Sequence, residues 1–310
     1  MFVGVARRTW WGNTVDAGDP AFVIRVKTDN VGTSASNQFT LPMIAGTYDV
    51  DWGDGNVDTS QTGTQTHTYA SAGTYDIRVT GGTQFQFNFA GDPNKLIDIR
   101  NWGNSEWTSM FGAFGGCGEL TTVSAQDAPD LSVAGGISCF RMFRSCLKLV
   151  SIPNAAAWDM SNVNTTGDMF YLCRLVDFDS STWVLSQATT AANMFYDARA
   201  FTGDLGNLGL GNCLSIAQMM YKCLAWDGAG ASNWTVTQMT NMLDFAASST
   251  TMSTANYDAL LIAWEAQGTM SYAGTVNMGL SQYTSGGAAE TARTNLIAEW
   301  GGITDGGAAP

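Results

Sequence analysis

Apolar residues return along this chain in two different rhythms. Over the first ninety positions the rhythm is two. Phe22, Ile24 and Val26 alternate with more polar neighbours, as do Tyr48, Val50 and Trp52, then Tyr75, Ile77 and Val79. Thr83–Ala90 (TQFQFNFA) continues the alternation. A period of two places one face of a strand in the core and the other in water. Gly53-Asp54-Gly55 and Gly73 separate these runs, where glycine admits the positive φ that tight turns require. Residues 20–92 are therefore expected to form a small all-β unit.

The second rhythm is long. A Met-Phe-like pair starts at Ala113, Met142, Met169, Met194, Met219 and Phe245, with gaps of 29, 27, 25, 25 and 26. Eleven residues before each start stand Trp102, Leu131, Trp158, Trp183, Leu208 and Trp234. One residue after stand Phe114, Phe143, Phe170, Phe195, Met220 and Ala246, and four after stand Cys117, Cys146, Cys173, Ala198, Cys223 and Ser249. Columns of this kind predict stacked rungs, each too small to bury its apolar side alone. The six rungs are expected over residues 93–253.

Residues 254–310 change composition. Thr254 is placed to cap a helix through Asn256–Ala266 that Gly268 ends, with Leu260, Leu261 and Trp264 inward. A second helix is expected over Ala288–Glu299. Together they read as an α/β cap on the last rung. Residues 1–19 read as an arm or an edge strand, in which Arg7, Arg8, Trp10 and Trp11 are candidates for contact with a partner subunit.

Composition narrows the function classes. Charged residues are 13% of the chain and net charge is −13. Neutral polar side chains must then cover the surface, as suits fibres, adhesins and virion proteins. The acidic balance argues against nucleic acid and anionic membranes as partners. No apolar run is long enough to span a bilayer, so no membrane insertion is expected. The start MFVGVARRTWWGNTV lacks a basic segment followed by an apolar one, so no secretory signal is expected. Six cysteines occur, four of them in one column. They read as a ladder of buried thiols or as bridged pairs.

Two segments resemble known families. YDVDWGDGNVDT followed by HTYASAGTYDIRVT resembles the PKD fold, an immunoglobulin-like module, which implies a non-catalytic sandwich. AWDMSNVNTTGDMFYLCRLVDF, TWVLSQATTAANMFYDARAF and NWTVTQMTNMLDFA resemble the BspA-like leucine-rich-repeat surface proteins of the lipoprotein-repeat family. STANYDALLIAWEAQG and AEWGGITDGG resemble the C-terminal end of the same family. The expected fold is thus mainly β: a PKD/immunoglobulin-like sandwich, then a leucine-rich-repeat-like solenoid with an α/β C-terminal cap.

Catalytic signals are weak. The single histidine, His67, sits in a strand motif, and no nucleophile elbow, zinc motif or phosphate loop occurs. No enzyme activity and no cofactor are expected. Asp49, Asp51 and Asp54 flank the first turn and form a weak Ca²⁺ candidate. The column two residues after each pair start holds Tyr171, Tyr196 and Tyr221, with Arg144 before them. With Arg174 and Arg199 nearby, these are the candidate binding residues, able to stack on sugar rings or anchor a protein, on a side read as free of the acidic excess. The expected function is structural recognition. The first reading is a bacteriophage virion component (capsid decoration, head fibre or tail adhesin) bound to capsid or tail proteins. The alternative is a bacterial cell-surface adhesin for host protein or glycan. A homo-oligomer is compatible with either.

Overall fold

The computed structural model describes residues 18–310. The arm residues Arg7, Arg8, Trp10 and Trp11 lie outside the described residues. The protein is mainly β. Its first strands are β1 (Phe22–Lys27), β2 (Gln38–Leu41), β3 (Met43–Ala45), β4 (Thr47–Asp51), β5 (Val57–Thr62), β6 (Gln65–Thr68), β7 (Thr74–Gly81), β8 (Gln84–Phe85), β9 (Leu96–Asn101) and β10 (Thr122–Val123). Six of them form one sheet in the order β10-β9-β1-β7-β4-β5. The pairs β2–β6 and β3–β8 form two smaller antiparallel sheets. The inward side chains are those the period of two selects: Phe22, Ile24, Val26, Tyr48, Val50, Trp52, Ile77 and Val79 are all buried.

Strand β9 joins the two halves. On one edge it pairs antiparallel with β1, and on the other it pairs parallel with β10. The parallel ladder then steps rung to rung, from Thr122 to Ser151 to Asp177. One hydrophobic cluster runs through both halves, and at their junction Phe22 packs on Trp102, Trp107 and Phe114 at ring separations of 6.0, 5.1 and 6.5 Å. Gly103 lets the chain pass here. It holds φ +66°, and a Cβ would come within 2.5 Å of the Pro20 oxygen and the Ala21 carbonyl carbon. Gly103→Ala should cost at least about 1–2 kcal/mol from the left-handed backbone alone, read as a lower midpoint in chemical denaturation.

The alternating stretch Thr83–Ala90 departs from expectation. Only Gln84–Phe85 is strand. From Gln86 the backbone turns to meet the repeats instead: the Phe87 and Phe89 N–H groups donate to Ala113 and Gly115 at 3.0 and 2.9 Å. Phe87 thus takes the place of a rung phenylalanine, one turn earlier than the first sequence column. Its alternating neighbours hid it, because one period-two run and one rung both place Phe85 and Phe87 inward.

Each rung accounts for its backbone polar groups in a fixed way. Arg141, Phe143 and Ser145 donate N–H to the carbonyls of Gly167, Met169 and Tyr171 at 3.0, 2.9 and 2.8 Å. Asp168, Phe170 and Leu172 do the same to Ala192, Met194 and Tyr196 at 2.9, 2.8 and 2.8 Å. The intervening N–H groups of Met169, Tyr171 and Cys173 close short turns within their own rung, onto Thr166, Asp168 and Phe170. This alternation requires left-handed backbone one residue before and three after each pair start. Those positions are Gly112, Arg141, Asp168, Asn193, Gln218 and Asp244, then Gly116, Ser145, Leu172, Asp197, Lys222 and Ser248, all at positive φ. Glycine, Asn and Asp bear that conformation at least cost.

Inside the rungs the columns stack. Phe114, Phe143, Phe170 and Phe195 follow one another at 5.2, 5.5 and 5.6 Å, the last two steps at 6° between planes. The indoles of Trp183 and Trp234 donate to the carbonyls of Ala155 and Leu205, each at 2.8 Å. All six cysteines are free and buried. The thiols of Cys146, Cys173 and Cys223 donate to Phe114, Phe143 and Phe195 carbonyls one rung back. Burial pushes Cys139 up to about 12 and Cys117 and Cys223 well above the usual thiol value, which keeps these three thiols neutral and unreactive.

Two short parallel-ladder strands, β11 (Ile137–Ser138) and β12 (Val163–Thr165), lie within the rungs. The C-terminal part contains α1 (Thr254–Glu265), β13 (Gly274–Asn277), α2 (Ala288–Trp300) and β14 (Gly301–Thr304). The cap of α1 is Ser253, not Thr254, because the Ser253 hydroxyl receives the Asn256 N–H while Thr254 already stands in the first turn. Leu260, Leu261 and Trp264 are buried as expected, and Trp264 continues the tryptophan column, donating to Ala231 at 3.0 Å. β13 takes the next place in the ladder, where Asn277 accepts the Ala246 N–H at 2.9 Å.

Candidate functional site

Tyr171, Tyr196 and Tyr221 occupy one column because each stands two residues after a pair start, and the rungs repeat in register. Their rings stack on one another at 4.5 and 4.5 Å, with 13° and 4° between planes. The Arg144 guanidinium closes one end, 4.1 Å over the Tyr171 ring. Near the other end the Lys222 ammonium lies 5.7 Å from the Tyr221 ring centre. The rings are partly exposed. Burial, then the adjoining phenols of Tyr171 and Tyr221, push the Tyr196 hydroxyl above its ordinary range.

This geometry revises how the column can bind. Between Tyr171 and Tyr221 the ring faces are spent on each other, so ring-on-ring stacking with a sugar is not available there. What remains for a partner is the row of outer edges with their hydroxyls, one per rung.

The basic residues do not stand alone either. The side read as clear of acidic groups holds two buried aspartates. Asp168 receives Arg141 Nε at 3.3 Å, an Arg144 Nη and Asn193 Nδ2 at 3.0 Å. Asp197 receives Arg174 Nε and Arg199 Nε, each at 2.7 Å. Sequence periodicity gave no sign of these pairs, since the partners sit at different offsets within the rung. The useful signal was Asp at the two left-handed positions, where a short polar side chain tolerates the backbone. A second aromatic pair, Phe111 and Phe140, stacks at 5.7 Å two residues before the pair starts, and Arg141 lies 4.7 Å over Phe140. Through Arg141 and Arg144, Asp168 ties that pair and the tyrosines into one face.

Burial raises the Asp197 carboxyl, but hydrogen bonds from Arg199 and Arg174 outweigh it and hold the group below the usual carboxylate range. A carboxyl depressed in the folded state stabilises above its unfolded value and loses that contribution as pH falls through its folded value. Acid titration of stability below about pH 4 should therefore be shallower in Asp197→Asn than in the parent. Equal slopes would show that the pair adds nothing.

The acidic turn behaves as a turn. Asp49 receives the Ser60 N–H, Asp51 the Gly53 N–H and Asp54 the Asn56 N–H. Each carboxylate closes its own loop, and among the described residues no three His, Cys, Asp or Glu side chains converge as metal ligands. The Ca²⁺ candidate is thus not assembled. His67 stacks on Trp52 at 4.8 Å and meets Asp54 at 2.8 Å, which together with Asn56 holds Asp54 low against the opposing effect of burial. No helix among the described residues is long and apolar enough to cross a membrane.

No curated protein and no solved structure matches the chain. One family model does, described as Mycoplasma protein of unknown function, DUF285, over residues 137–258. That segment carries the tyrosine column, both arginine–aspartate clusters and five of the six pair starts.

Proposed function

We propose that this chain is a non-enzymatic recognition protein, built as a PKD-like sandwich followed by a leucine-rich-repeat-like solenoid with an α/β cap, and that it decorates a bacteriophage particle. The observation that carries the reading is the contrast within each rung. The inward columns of Met, Phe, Cys and Trp are uniform and buried, as a scaffold demands. The outward column bears aromatic rings and guanidinium groups, the side chains enriched where proteins bind. Such a scaffold presents a surface at a fixed pitch and gives little shelter to a reaction centre. The sparse charge fits a particle coat, where neutral polar side chains serve as the outer layer.

The cell-surface adhesin is the second reading. The family resemblance of the repeat segment favours it, because those relatives are surface proteins. Quantitative mass spectrometry of purified particles from the native source separates the two. A fixed copy number per particle supports the virion component. Recovery in the cell envelope alone would replace it with the adhesin.

A further inference from the structure

Resting on the reading of the tyrosine face as a recognition surface, we infer that its ligand is an anionic polysaccharide, held by the guanidinium groups that Asp168 and Asp197 position. The argument begins with charge. Here each buried aspartate holds two arginines: Arg141 and Arg144 on Asp168, Arg174 and Arg199 on Asp197. With Lys222, five cations meet two carboxylates around the ladder, in a chain whose net charge is −13. A locally cationic face on an acidic protein selects an anionic partner and repels its own kind.

The aspartates also fix direction. Their side chains are only 7% and 4% exposed, while those of Arg174 and Arg199 are 48% and 45% exposed. Arg174 spends Nε on Asp197 and keeps both Nη groups uncommitted among the described contacts. Arg199 spends Nε and one Nη there, leaving the other. A guanidinium anchored by one edge offers a planar fork of N–H donors to a carboxylate or sulfate.

A polysaccharide suits this face better than an acidic peptide. From Asp168 to Cys173 every backbone N–H and C=O is already bonded within the ladder, so a peptide main chain finds nothing to pair with. A polyhydroxylated chain instead meets the row of phenol hydroxyls, with its anionic groups on the flanking arginines.

The test measures binding of the full chain to polygalacturonate, polyglutamate and uncharged dextran by calorimetry at two salt concentrations. The expected order is polygalacturonate well above polyglutamate, with dextran undetected. Arg174→Gln with Arg199→Gln should weaken polygalacturonate about tenfold or more, while the Arg→Lys pair keeps the salt dependence and loses part of the affinity. Asp197→Asn discriminates further. It adds one net positive charge, so simple attraction would tighten binding, whereas loss of positioning weakens it. Equal or tighter binding of polyglutamate, no polygalacturonate binding, or tighter binding in Asp197→Asn overturns the inference. None of these touches the recognition face itself, which is judged on native particles or cells with tyrosine variants.

Discussion

Replacing Lys95 by Met should cost about 3–5 kcal/mol of stability, the largest loss expected from any single change to a charged residue here. Lys95 and Asp92 are both fully buried, 4.0 Å apart. The ammonium donates to the Ser34 hydroxyl at 2.7 Å and to the carbonyls of Ala35 and Gln38 at 2.8 and 2.9 Å. Asp92 accepts from the Ser34 N–H and hydroxyl and from the Thr40 N–H at 2.9, 2.6 and 2.8 Å. The pair thus pins the loop between β1 and β2 to the short turn before β9. Burial pushes Lys95 below its ordinary value, with Asp92 resisting. Met fills the volume but leaves the buried Asp92 charge without a counter-charge and takes one donor from the Ser34 hydroxyl and from the Ala35 and Gln38 carbonyls. Asp92→Asn, which keeps the shape, should cost less. Gly32 adds a check: a Cβ there would lie 2.4 Å from Asp92 Oδ1, so Gly32→Ala should disturb the same network. A Lys95→Met midpoint within 1 kcal/mol of the parent, about a third of the expected loss, would show that this latch is unimportant.

Phe170→Ala should cost a similar amount, about 3–5 kcal/mol. Phe170 is fully buried, stacked between Phe143 and Phe195, and it also meets Phe178 and Trp183 at 5.0 and 6.3 Å. Its removal opens a cavity in the middle of the ladder, where rungs on both sides are held by backbone bonds and cannot close in. Tyr196→Ala, one residue after the next phenylalanine of the column, loses two stacking contacts at about 0.5–1.5 kcal/mol each and leaves no cavity, because the site opens to solvent. Urea denaturation of the two variants in parallel measures the difference. Equal losses would place the tyrosine column in the core.

The Met-Phe columns were legible because burial selects the same side-chain type in every rung. Phe87 was not, because the same residue satisfies a strand and a rung, and only its hydrogen-bond partners decide between them. The left-handed pairs were half legible. Gly112, Asp168, Asn193 and Asp244 hint at them, whereas Arg141, Leu172 and Lys222 are ordinary residues held there by the ladder. The tyrosine column is legible by position, but the direction of its rings is not, since that depends on neighbouring rings approaching to 4.5 Å. Three of the four arginine–aspartate contacts join residues 23–27 positions apart and the fourth, Arg199 to Asp197, only two, so no periodic pattern announces them. The Asp92–Lys95 latch is three residues apart in sequence, yet its meaning lies in its burial by a loop some sixty residues earlier.

The measurement that tests the account most directly uses the triple variant Tyr171→Phe, Tyr196→Phe, Tyr221→Phe. It keeps the ring stack and removes only the hydroxyl edges. Binding of the labelled full chain to particles or cells of the native source is measured beside thermal melting. The account predicts binding weakened about tenfold or more, with a melting temperature within about 2 °C of the parent. Unchanged binding would contradict the recognition role of the column, and a collapse of the melting temperature would mean that its hydroxyls hold the fold rather than meet a partner.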